Sequence, residues 1–107
     1  MTQKDEKIQS IIKELAAEYF SRNSNRQSMI TVTRVELLSR GAKAMILMTV
    51  LPETDEGPAL EFAQRQLTNL RKYVEEHSRL GRIPYFEIMI DIGEKNRQHI
   101  DDISKSL

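Results

Sequence analysis

The sequence predicts an α+β domain in which one helix precedes two strands and a second long helix leads into a third strand. Three observations carry this. Apolar residues recur at helical spacing through residues 5–20 and again through 59–80. Two strand-like runs, residues 30–37 and 44–51, lie almost back to back between them. A third run, residues 82–91, alternates apolar and polar positions around Pro84.

The first helix places Ile8, Ile11, Ile12, Leu15, Ala16, Tyr19 and Phe20 on one stripe, the i, i+3, i+4 pattern of a helix lying on a core. Asp5 and Glu6 suit the positive end of its dipole, and the polar run from Ser21 to Ser28 predicts a stop near Ser21. The first strand changes apolar parity: Ile30 and Val32 are even, Val35 and Leu37 odd. One face cannot bury both sets without an extra residue, so a bulge or bend is expected near Thr33 and Arg34. Residues 38–43 read as a hairpin loop, with Gly41 free to take a positive φ. The second strand is apolar on both faces, as befits a central strand.

Residues 52–58 read as an acidic loop. One helix from about Ala59 to Leu80 follows, bent at most gently near Thr68, with Gly81 as its cap and Pro84 preventing continuation. In the third strand Phe86, Ile88, Ile90 and Ile92 are expected inward, and Tyr85, Glu87, Met89 and Asp91 outward. Because a helix joins strands two and three, they should run parallel with a right-handed crossover. The first-helix stripe is expected against Phe86, Ile88 and Ile90. Residues 1–92 are read as a single domain, and residues 93–107 as a polar tail or short helix.

The chain has 107 residues, no cysteine and a formal net charge of zero. At that length about 60–70% of the unfolded surface can be buried, enough for a core. No disulfide, thiolate zinc site or cysteine nucleophile is possible. The charged start and the lack of any apolar run near ~18 residues lead to the expectation of a soluble cytoplasmic chain without a membrane partner. His77 and His99 are far apart in sequence, and the neighbouring acids Glu75–Glu76 and Asp101–Asp102 diverge on a helix. No serine elbow or phosphate loop is present. The expectation is therefore no enzyme and no cofactor or metal.

Charge is unevenly placed. Arg22, Arg26, Arg34, Arg40 and Lys43 face one acid, Glu36; Arg65, Arg71, Lys72, Arg79 and Arg82 face Glu75 and Glu76; Glu53, Asp55, Glu56 and Glu61 form a run without a base. Such clusters are equally well read as ordinary solvated surface or as a molecule with a basic side and an acidic end.

The helix–strand–strand–helix–strand order with a three-stranded mixed sheet is that of a K-homology fold of the second type. Such domains hold single strands with a GXXG loop. Here Gly41, Gly57, Gly81 and Gly93 are never three residues apart, so that loop is lacking. The wording of residues 30–36 and 44–51, Leu70-Arg71, Leu80, Pro84, Ile90-Asp91 and residues 97–103 together resembles the ribosome-binding factor A family, over about three quarters of the chain. Two departures stand out. Gln66-Leu67-Thr68 occupies the place of the family's Ala-x-Gly helix kink, and the loop around Arg40-Gly41 is one residue shorter.

The resemblance implies a non-catalytic factor that binds the small ribosomal subunit and its ribosomal RNA transiently during late maturation. It also implies contact near the decoding region and greater need in the cold. Expected RNA contacts are Arg40 and Lys43 in the hairpin, Arg71 and Lys72 on the second long helix, and Arg79 and Arg82 around its end, with Arg22 and Arg26 next. Lys4 and Lys7 are expected to matter less. Arg34 serves equally well as a cross-strand partner of Glu87. DNA is not an expected partner, and a monomer is the expected state. The rival from another class is a protein-interaction adaptor with no RNA partner.

Overall fold

A computed structural model describes residues 3–23 and 28–106, with side chains through residue 100. Helix α1 (Gln3–Asn23) runs two residues past its expected stop, and Asn23 turns its side-chain amide back to the Tyr19 carbonyl at 2.9 Å. Of its stripe Ile12, Ala16, Tyr19 and Phe20 are buried, while Ile8 and Leu15 pack at the margin. Strand β1 (Met29–Leu38) and strand β2 (Lys43–Leu51) form an antiparallel pair. Val32 faces Met48 and Arg34 faces Leu47, which leaves Thr33 as the extra residue of the expected bulge. The bulge lets Ile30 and Val32, then Val35 and Leu37, share one buried face.

Strand β3 (Tyr85–Ile90) runs parallel to β2, giving the order β1-β2-β3 with the apolar strand in the centre. The helices pack on one face of this mixed sheet around Ile46, Met48, Val50, Phe86 and Ile88. Helix α1 lies over β1 and against the later helices, while β3 is covered by the helices that precede it. The expected seating of the α1 stripe on Phe86, Ile88 and Ile90 is thus corrected. β3 lies at the far edge from β1, so the crossover helices reach it first.

The second long helix is two helices, α2 (Glu56–Arg65) and α3 (Leu67–His77), with Gln66 between them. This corrects both the expected start near Ala59 and the expected single helix. Gln66 has φ −86° and ψ −5°, a bridge conformation open to any L-residue, so no glycine is needed. Its N–H is shared between Phe62 and Ala63 carbonyls, each at 3.1 Å, and its own carbonyl accepts from Leu70 N–H at 2.8 Å. The Tyr19 hydroxyl donates to Gln66 Oε1 at 2.5 Å, tying the break to α1. On its two sides the chain packs differently, α2 onto β3 and α3 onto both β3 and α1.

Helix α3 ends three residues early, at His77. Ser78 takes extended angles, its Oγ donates to the Val74 carbonyl at 2.7 Å, and it accepts from Leu80 N–H at 3.3 Å. The serine side chain closes the helix, so Gly81 lies beyond it and is no cap. The acidic stretch begins with a cis Leu51–Pro52 peptide and a 3-10 turn over Glu53–Asp55.

The last element is helix α4 (Ile92–Ser106). Its start overturns the expected faces of Asp91 and Ile92. Asp91 is 4% exposed and Ile92 is 64% exposed, because β3 stops at Ile90 and Asp91 caps a helix. Asp91 Oδ1 accepts from Glu94 N–H at 3.1 Å, and Oδ2 accepts from the Thr33 hydroxyl at 2.6 Å. Arg34 Nε stands 3.4 Å from that same oxygen. The bulge therefore delivers Thr33 to a buried carboxylate at the far side of the sheet. Burial pushes the Asp91 carboxyl up, but the bonds from Thr33 and Glu94 and the Arg34 charge outweigh it and hold it below its ordinary value.

Candidate nucleic-acid interface

The sheet ends are finished by two loops whose local chemistry decides where the arginines stand. In the β1–β2 hairpin Ser39, Arg40 and Gly41 all take positive φ, at 53°, 56° and 86°. Only Gly41 does so without a steric penalty. The turn closes with Ala42 N–H bonded to the Ser39 carbonyl at 3.1 Å. The Ala42 carbonyl then accepts from Tyr85 N–H at 2.9 Å, fastening the hairpin to the start of β3.

The α3–β3 loop is fastened from the other side. Arg71 Nε donates to the Pro84 carbonyl at 3.1 Å and its terminal nitrogen to the Ile83 carbonyl at 2.8 Å. Ile83 is buried, so these carbonyls would otherwise lack partners. Arg71, expected to meet RNA, thus serves first as the clamp of this loop.

Between the hairpin, this loop and the first turns of α1 lies a groove of about 960 Å³. Arg40, Arg79 and Arg82, from two separate basic stretches of the sequence, line it together. Lys4 and Lys7 line it as well. All five cations are exposed, and Asp5 is the one acid in the lining. Ile8, Ile11, Leu37, Leu80 and Pro84 supply its apolar part. Lys4 and Lys7, expected to matter less, stand beside the arginines here, because α1 crosses the sheet so that its first turns meet the hairpin.

The remaining candidates are elsewhere. Lys72 lines a second cleft of about 640 Å³ beside the α2–α3 break, with Arg71, Glu75 and Tyr85. Lys43 is paired with Glu87 at 3.0 Å. That takes the partner expected for Arg34, which pairs instead with Glu36 at 3.1 Å and Asp91. Arg22 pairs with Glu18 one turn earlier at 3.0 Å. Arg26 lies outside the described residues.

At the opposite end the acidic stretch meets α4: Lys95 bonds Glu56 at 3.0 Å, and His99 bonds Glu53. The open face of the sheet carries Met29, Leu51, Tyr85 and Met89, each more than half exposed. No described helix is long and apolar enough to cross a membrane. Among the described residues no three His, Asp or Glu side chains stand together as a metal site.

Neither the protein-family models nor the curated proteins give a match to this sequence. Solved structures do match in fold. The crystal structure of ribosome-binding factor A from Thermus thermophilus superposes with a TM-score of 0.71 at 21% identity, over 80% of this chain and 94% of that one. A solution structure of a Thermotoga maritima protein, a candidate ribosome-binding factor A, gives 0.68 at 18% identity, over 81% and 86%. Thermus thermophilus ribosome-binding factor A coordinates fitted to a map of a 30S complex give 0.66 at 22%, over 76% and 88%. In its α-β-β-α-β order, its mixed sheet and the course of its chain, this protein resembles ribosome-binding factor A.

Proposed function

We propose that the chain is a non-catalytic factor that docks on the small ribosomal subunit, through its ribosomal RNA, during late maturation in the cytoplasm. The observation that carries the reading is the convergence of Lys4, Lys7, Arg40, Arg79 and Arg82 in one groove with a single acid. That groove lies on a fold shared with a factor whose coordinates were fitted to a 30S complex. Docking of this kind works by position. Phosphate contacts fix register and make affinity fall with salt, and no bond is made or broken. Residues 1–92 would form the docking domain and residues 93–107 an appendage, with the chain acting as a monomer and needed most in the cold.

Co-sedimentation tests the reading. The chain should pellet with free small subunits in low salt, be released as salt rises, and fail to pellet with joined ribosomes. Failure to pellet with free subunits in any salt would leave the adaptor as the better account. The exposed apolar residues of the open sheet face are what that second reading rests on.

A further inference from the structure

We propose that the groove grips an RNA phosphodiester backbone between two Arg–Gly corners, Arg40–Gly41 and Gly81–Arg82, which do the work of the missing GXXG loop. The inference rests on the ribosomal-RNA reading above and deepens it by naming the seat and the part of the RNA that it holds.

A GXXG loop works because glycine backbone can approach a phosphate that side chains would keep away. Here two glycines from separate loops border one groove. A Cβ built on either meets nothing within 4 Å, so the backbone at both corners is open to a ligand. Each glycine adjoins an exposed arginine, Arg40 before one and Arg82 after the other. Both corners are held in place in the free protein. The Ala42–Tyr85 backbone bond ties the hairpin to β3, and Arg71 pins the Ile83 and Pro84 carbonyls behind the second corner. Preorganised donors of this kind lose little entropy on binding.

The lining also says which part of the RNA is held. It contains no Phe or Tyr, so the stacking platform on which unpaired bases are read is missing. Cations and open backbone address phosphate, and phosphate carries no sequence. The grip should therefore be strong in charge and indifferent to base identity. An acidic, apolar peptide would also meet cations over aliphatic surface, but it would have no use for two exposed glycine corners.

Purified small ribosomal subunits are the probe, in salt titrations with three variants. Gly81 has no positive φ and open space above it, so Gly81→Val should keep its thermal midpoint while binding falls about tenfold. Arg79→Gln with Arg82→Gln should weaken binding and flatten the salt dependence by about 0.7–0.9 for each phosphate no longer held. Polyuridylate should displace the wild-type chain and polyglutamate should not. Wild-type affinity in both variants, or equal loss from Lys72→Gln, would overturn the groove as the seat while leaving the ribosomal reading in place. Loss in the arginine variant alone would overturn the glycine corners. Displacement by polyglutamate at least as good as by polyuridylate would mark a peptide site. A wild-type chain that binds no subunit would remove both this inference and the reading beneath it.

Discussion

The two ends of this molecule carry charge in opposite ways. At the groove end Lys4, Lys7, Arg40, Arg79 and Arg82 form no ion pair among the described residues. At the α4 end each base whose side chain is described has its acid: Lys95 on Glu56, Arg97 on Glu94 and His99 on Glu53. Arg97, bonded to Glu94 at 3.0 and 2.5 Å, holds that carboxyl below its ordinary value. A formal net charge of zero conceals this division. Exposed pairs add little to stability, but they cancel each other's field. Unpaired cations in a groove keep theirs available to a polyanion. The contrast predicts that changes at the α4 end are read in stability and changes at the groove end in binding.

The largest expected effect tests the first half. Asp91→Ala removes a helix cap and leaves the Thr33 hydroxyl and Arg34 without their carboxylate, so unfolding in urea should show a loss of about 3 kcal/mol. Subunit affinity, corrected for the folded fraction, should hold. A loss of binding without a loss of stability would place Asp91 in the interface and dissolve the contrast.

Next in size is the groove. Reversing Arg79 and Arg82 to glutamate should weaken subunit binding by about a hundredfold, or ~2.7 kcal/mol, with an unchanged thermal midpoint. Reversing Lys4 and Lys7 should cost a comparable amount, since they line the same groove. A Lys4/Lys7 variant that binds like wild type would confine the interface to the hairpin and the α3–β3 loop.

Acid titration gives a smaller effect of defined sign. The folded Asp91 carboxyl titrates below the ordinary value of 3.8, so the unfolded chain takes up that proton first. Its stabilisation is complete above that value and is lost as pH falls through the lowered folded pKa. The stability difference between wild type and Asp91→Asn should thus hold at neutral pH and shrink as pH falls below about 3.8. A difference that grows in acid would mean the carboxyl is protonated in the folded state.

What could be read in advance follows the range of each cause. Strand order, the bulge at Thr33 and the central place of β2 were legible because parity and apolar runs are local signals. The cap at Asp91 was not: strand alternation through Ile88, Ile90 and Ile92 set Asp91 outward, and its burial rests on Thr33, distant in the chain. Lys4 and Lys7 were not legible as groove residues, because only the path of α1 across the sheet brings them to loops far along the chain. Nor was the clamp made by Arg71, which depends on carbonyls that fold back from beyond the end of α3.

The break at Gln66 belongs to this last group, and it supplies the smallest predicted effect. Apolar spacing runs unbroken through Leu67, Leu70 and Val74, so nothing local asks for a bend. Gln66 bends with φ −86°, where its side chain meets no steric penalty. Glycine at Thr68, in the first turn of α3, would supply freedom that the fold does not use and would add entropy to the unfolded chain. Thr68→Gly should therefore lower stability by no more than about 0.5 kcal/mol. Tyr19→Phe, which removes the bond to Gln66 Oε1, should cost about 1 kcal/mol. Urea midpoints for the two variants separate the possible causes. A gain of stability in Thr68→Gly would mean that the bend is strained and that glycine relieves it. A loss there with a larger loss in Tyr19→Phe would place the origin of the bend in the packing of α1 against α3, with the sequence at the break merely permitting it.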